Sequence, residues 1–272
     1  MSTNTLPSTT AVEVEPTGFG RTLQSEWIKL WTVRSTWWTM IALFVLGAGL
    51  TTLMCWGNAD WLAHENPAQG GEAVGSFITR GMMIAQVCAV IVGVLAVTSE
   101  YGTGMIRTTL AATPARGRVL AAKALVVSGF LFVLGTATAL VGYFGGNYFL
   151  DREGIGLALE GDVARAMYGS GLFLGGLALF SMAVGFLVRH TAAAISIVLA
   201  LVFVLGNMVI LVPGDFGTFL ERVMPGNAGG ALASPVPFNP NLLDAWPSFG
   251  VFAAETAALL GLAWFLLRKR DA

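Results

Sequence analysis

The stretch that decides the fold is residues 168–212: YGSGLFLGGLALFSMAVGFLV, then RHT, then AAAISIVLALVFVLGNMVILV. Two uncharged apolar runs, Tyr168–Val188 and Ala192–Val212, are separated only by Arg189, His190 and Thr191. Each run has about 20 residues, the length a helix rising about 1.5 Å per residue needs to cross about 30 Å of hydrocarbon. So short a connection forces an antiparallel helical hairpin with no room for a domain between the runs. Four more such runs lie outward of it, at Trp37–Trp56, Phe77–Thr98, Ala124–Phe144 and Phe249–Leu267. With 55% hydrophobic residues, the chain reads as an all-α integral membrane protein of six transmembrane helices.

Charge gives the orientation. Of the 15 Lys and Arg residues, only Arg80, Arg152, Arg165 and Arg222 fall on one side of the alternating loops. The rest, from Arg21 to Arg270, fall on the other, and the positive-inside rule predicts that this side and both termini are cytoplasmic. The opposite loops carry acids such as Asp60, Asp151, Glu153, Asp162 and Asp244. The pattern suits anionic inner-leaflet lipids as partners and gives no sign of nucleic acid. The expected location is the inner or plasma membrane.

Domain organisation follows. Residues 1–20 hold no Lys, no apolar core, and only Arg-free Ser/Thr-rich sequence with Pro7 and Pro16, which predicts a disordered cytoplasmic tail rather than a signal peptide. Residues 21–36 predict an amphipathic interfacial helix, with Leu23, Trp27, Leu30 and Trp31 on one face and Ser25, Glu26, Lys29 and Thr32 opposite. Trp31 and Arg34 suit the headgroup level; an inward extension of the first span is the other reading. Residues 37–272 form the six-helix transmembrane domain. Within it, the loop 99–118 is the longest cytoplasmic connection, with Gly102 and Gly104 weakening the second span and Pro114 stopping a short helix over Met105–Thr113.

The last outer segment, 213–248, holds six of the ten prolines. Phe216, Phe219, Leu220, Val223 and Met224 fall at helical spacing, with Asp215 placed as an N-cap and Pro225-Gly226 as a stop. Leu242, Leu243 and Trp246 predict a second short amphipathic helix. Both are expected on or in the outer leaflet, the first stripe acting either as an extracellular gate buried against the spans or as an interfacial anchor.

Catalysis finds no residue set. The two histidines, His64 and His190, fall on opposite sides of the membrane, HExxH and GxSxG do not occur, and no lysine follows a glycine, which excludes a GxxxxGK[ST] phosphate loop. No metal site is expected, and any ATP must be bound by another chain. Glu255 is the one acid deep in a span, either functional or a hydrogen-bonded helix tie. Asn207 is expected to bond between helices and Cys55 and Cys88 to pack as small apolar groups. Gly142/Gly146 and Gly171/Gly175 predict close helix packing.

Two segments carry a resemblance: SEWIKLWTVRSTWWTM at 25–40 and TSEYGTGMIRTTLAATPARGRVLAAKAL at 98–125. Together with the six spans they resemble the permease subunits of type-2 ABC exporters in their short six-span form. The matching positions are Glu26, Trp27 and Lys29, then Glu100, Tyr101, Gly102, Thr103, Arg107, Pro114, Arg116 and Arg118. The resemblance implies a half-transporter that pairs with a second permease copy, identical or related, and with separate cytoplasmic ABC ATPase subunits. Those partners would hold ATP and Mg, and the loop 99–118 would couple them to the spans. An ATPase-independent secondary transporter or channel is the alternative class.

Overall fold

The computed structural model describes residues 18–64, 70–105 and 116–270, and among them there is helix and no strand. An N-terminal helix α1 (Phe19–Thr32) is followed by α2 (Arg34–His64), a short α3 (Gly70–Phe77) and α4 (Met82–Gly102). Then come the long α5 (Arg116–Arg152) and α6 (Gly161–Val188). The fifth span starts as α7 (Thr191–Leu199) and continues through a π-helical turn, Ala200–Leu205, to Leu211. The outer segment forms α8 (Gly214–Val223) and α9 (Pro225–Gly230), and α10 (Ala245–Arg270) closes the chain.

Six helical stretches are long and apolar enough to cross a membrane; five contain a run read from the sequence, and the fifth stretch, ending at Leu211, stops one residue short of the run's end at Val212. An even number of crossings puts α1 and the end of α10 on the same side of the bundle. The 37 residues of α5 extend over about 55 Å, so its first turns project beyond a hydrocarbon core. Of the six, α6 is the most enclosed, with 72% of its apolar window buried, and α10 the least, with 22%. The core therefore builds around α6, with α2, α4 and α5 on one side and the fifth span and α10 on the other. Small residues set this spacing. A Cβ on Gly171 would strike Phe132 and Thr136 of α5, and one on Gly142 or Gly146 would meet Thr51 or Cys55 of α2. Both glycine pairs thus serve close packing, and Cys55 and Cys88 are buried and free, as read.

Differences from the sequence reading have local causes. The interfacial helix ends at Thr32 rather than at 36, because Val33 is extended (φ −85, ψ 112) and Arg34 already opens α2. That break makes α1 a separate helix, not an extension of the first span. Asn207 donates to Phe203 O at 2.6 Å, a bond within its own span instead of between helices. In the outer segment, α8 matches the predicted first helix, but Asp215 sits inside its first turn and makes no cap bond; Pro213 precedes the helix. Pro225 does not merely stop α8: it is the first residue of α9, where its missing N–H costs nothing. The predicted second helix at Leu242–Trp246 is instead a turn, with Asn241 N bonded to the Asn239 side chain at 2.9 Å, leading into α10 at Ala245.

The unpredicted element is α9. Its sequence, PGNAGG, carries no stripe and little helix propensity, yet Ala228 and the following Leu232 are fully buried. Gly226 packs on the Val202 backbone of the π-helical turn and Gly229 on the Phe173 and Phe252 rings. Tertiary packing overrides propensity here: only near-absent side chains let the segment enter between α6, the fifth span and α10.

Candidate functional site

At the end of the bundle that carries α1, one face of α1 that includes Glu26 turns inward. Its buried residues are Thr22, Glu26 and Leu30. Glu26 meets charges from two other helices. Lys123, in the early turns of α5, donates to Glu26 Oε2 at 2.6 Å and to Glu100 Oε1 at 2.8 Å. Lys29 donates to Glu26 Oε1 at 2.7 Å and to Glu100 Oε1 at 2.9 Å. Two carboxylates and two ammonium groups close a neutral square linking α1, α4 and α5. Glu26, Glu100 and Lys123 are at most 4% exposed; the Lys29 side chain is 29% exposed.

The sequence reading placed Glu26 and Lys29 on the outward face because an isolated amphipathic helix buries its apolar side. Here the counter-charges on α4 and α5 reverse that choice. Removing one member of such a set strands a desolvated charge, so the group is held together more strongly than an exposed ion pair. Burial alone would lower the Lys29 pKa, but its hydrogen bonds to Glu26 and Glu100 outweigh that and lift it above the ordinary lysine value.

The other face of α1 carries an aromatic cluster. Trp31 lies edge-on to Trp27, Trp37 and Phe130, with centroids 5.6, 4.8 and 5.4 Å away. Trp37 Nε1 donates to Trp31 O at 2.9 Å, pinning the turn at Val33. Trp27 and Arg34 are exposed beside it. These are the residues expected at a headgroup layer.

The remaining coupling candidates are placed as follows. Tyr101 lies beneath the Arg189 guanidinium, 4.9 Å from ring centroid to Cζ. Gly102 ends α4, Thr103 caps it by donating from N to Ser99 O at 3.1 Å, and Gly104 breaks it in the left-handed region (φ 71). Arg107 and Pro114 lie outside the described residues, as does nearly all of the short helix expected over Met105–Thr113. Arg116 opens α5 and donates to Leu267 O at 2.9 Å and Arg268 O at 3.3 Å, capping the end of α10. Glu100, in the last turn of α4, faces the bundle interior and pairs there with Lys29 and Lys123.

At the opposite end, the gate stripe is not buried within the chain. Phe216 and Phe219 are 66% and 57% exposed, while Leu220, Val223 and Met224 are half-buried. The cause is Glu221 on the inward face of α8, which accepts from Asn239 Nδ2 at 2.8 Å and Asn241 Nδ2 at 2.9 Å and so turns the phenylalanines outward. Those two amide bonds hold its carboxyl below the usual carboxylate range. Sequence reasoning missed Arg165, counted only as an outer charge. Its guanidinium donates to Ala231 O, Leu232 O and Ser234 O at 3.3, 3.2 and 3.1 Å and closes the exit of α9. Glu255 is half-buried in α10, with Oε2 enclosed and without a hydrogen-bond partner among the described residues. Ligand atoms of Asp60, His64 and Glu153 lie within 4.8 Å of one another, all exposed, a grouping the histidine argument did not anticipate.

Six apolar helices of spanning length make the chain an all-α, multi-pass membrane protein. No protein-family model matches it, and no curated protein does so.

Proposed function

We propose that this chain is the transmembrane permease subunit of an ATP-driven export system of the type-2 ABC kind. It would form the substrate pathway with a second permease copy and work with separate cytoplasmic ABC ATPase subunits that bind ATP and Mg. The cell membrane is the proposed location, with both termini and the loop 99–118 in the cytoplasm.

The observation that carries the reading is the charge square at the base of that loop. Glu100 stands at the start of the loop and Lys123 just after it, tied to Lys29 and Glu26 of α1 respectively and to each other. Arg116 adds a link to the end of α10. A push on the loop would therefore reach four helices as one unit rather than bend a single span. ATP would act by favouring one arrangement of the paired ATPases, and this unit would pass the bias to the bundle. The weakly enclosed α10 supplies a face for the second copy.

The test is isolation of the full chain from its own cells with a cysteine at Met105 for cross-linking. The expected result is a cross-link to a cytoplasmic ATPase, no ATP hydrolysis by the chain alone, and transport only when both are reconstituted. Solute movement by the chain alone, driven by an ion gradient, would establish the secondary-transporter class instead.

A further inference from the structure

Beside the charge square lies a cavity of about 230 Å³ between α1, α2, α4 and α5. Its walls are apolar, with Val92 and Val126 among them, and its rim carries the hydroxyls of Ser35, Thr36 and Ser99. Lys29 and Glu100 both line it.

The hydrogen-bond inventory of the square is incomplete at Glu100, one of the cavity's lining residues. Both oxygens of Glu26 are used. Glu100 Oε1 accepts from both lysines, whereas Glu100 Oε2 has no donor among the described residues, and the side chain is only 3% exposed. Lys29 spends two of its three donors on the carboxylates and is partly exposed. A buried acceptor without a donor is costly, so the site is built for a group that donates hydrogen bonds to Glu100. The third Lys29 donor, beside it, suits an anion. One ligand carrying both an N–H cation and a phosphate answers both needs and leaves the neutral square neutral. The aromatic cluster of Trp27, Trp31 and Trp37 on the outer side of α1 sets the cavity at headgroup depth.

We infer that this cavity binds the headgroup of phosphatidylethanolamine, its primary ammonium on Glu100 Oε2 and its phosphate on Lys29. Choline headgroups have no N–H and leave Glu100 unpaired; a glycerol headgroup adds net negative charge beside two carboxylates. The inference concerns lipid recognition and stands whether or not the protein is an exporter.

The experiment uses the full chain, delipidated in detergent and titrated with dihexanoyl phosphatidylethanolamine, phosphatidylcholine and phosphatidylglycerol, with bound adducts read by native mass spectrometry. Ethanolamine lipid should bind about tenfold more tightly than either of the others. Glu100→Gln should erase that preference. Because Glu100→Gln also disturbs the charge square, Ala96→Leu, which fills the cavity and leaves all four charges in place, should erase it too. Equal binding of the three lipids, or a preference that survives Ala96→Leu, overturns the inference. Free phosphoethanolamine binding as tightly as the lipid would also overturn it, by assigning the site to a soluble ligand.

Discussion

Lys123 and Glu26 stand 97 positions apart in the chain, and their Nζ and Oε2 atoms meet at 2.6 Å inside the protein. The contact fixes α1 across the start of α5, and Glu100 extends it to the end of α4. An apolar contact of the same area would tolerate a slide along the helix. Paired, directional bonds from two lysines to two carboxylates hold one register.

Breaking that contact from one side should be costly. Glu26→Leu leaves Lys123 buried with Glu100 as its only acid, shared with Lys29, and is expected to destabilise the protein by about 3–5 kcal/mol. The double variant Glu26→Leu/Lys123→Met removes both charges, keeps the Lys29–Glu100 pair and should recover most of that loss. Thermal unfolding in detergent measures both. Additive losses in the double variant would contradict the reading.

Lys29 predicts an alkaline limit. Its folded pKa is raised, since its bonds to the carboxylates prevail over burial. A raised lysine contributes stability that is fully present below the unfolded lysine pKa and is lost as pH rises through the folded value. The gap in thermal midpoint between wild type and Lys29→Met should therefore stay constant from neutral pH up to the ordinary lysine range and shrink above it. A gap that shrinks towards acid instead would show that the sign is wrong.

What was legible in the sequence divides by range. The six spans were legible because a run of about 20 apolar residues needs no knowledge of its neighbours. The separation of α1 from the first span was legible too, though its break falls at Val33 and not after 36. The burial of Glu26 was not, since it depends on Glu100 and Lys123, which lie 71 residues from Lys29 and 97 from Glu26 respectively. A signal was present nonetheless: opposite charges at the ends of two spans match the Glu26/Lys29 pair in number and sign. The helix α9 was illegible for another reason. Pro-Gly-Asn-Ala-Gly-Gly reads as loop by every local rule, and its helix exists because Phe173, Phe252 and the Val202 backbone leave space only for it.

Arg165 is expected to hold the outer segment in place. It donates to three carbonyls at the exit of α9, and its bond to Asp162 is a rim contact, with that carboxylate 74% exposed. Arg165→Ala should loosen the segment by about 1.5–3 kcal/mol, the scale of hydrogen bonds to a charged group, whereas Asp162→Asn should cost under about 1 kcal/mol. A cysteine at Leu232, now fully buried, should become reactive to thiol reagents in the Arg165→Ala background. Unchanged protection of that cysteine would remove Arg165 from this role.

Phe216 and Phe219 lie together on α8 and are 66% and 57% exposed, so any cover they have comes from outside the chain. The helix has an apolar face and an opposite face holding Glu221, the form of a segment that lies in an interface. Burying each ring contributes roughly 1.5–3 kcal/mol, so leaving both in water is disfavoured. Lipid or another protein surface would cover them in membranes, and detergent removal of that cover would not alter the fold. Cysteines at 216 and 219 should therefore react slowly with a charged thiol reagent in native membranes, while one at the exposed Asp215 reacts quickly. Phe219→Asp should destabilise the detergent-solubilised chain little, by under about 0.5 kcal/mol, because the ring is mostly exposed. If the cysteines at 216 and 219 label as fast as the one at 215 in membranes, the stripe is a wet surface and neither a gate nor an anchor.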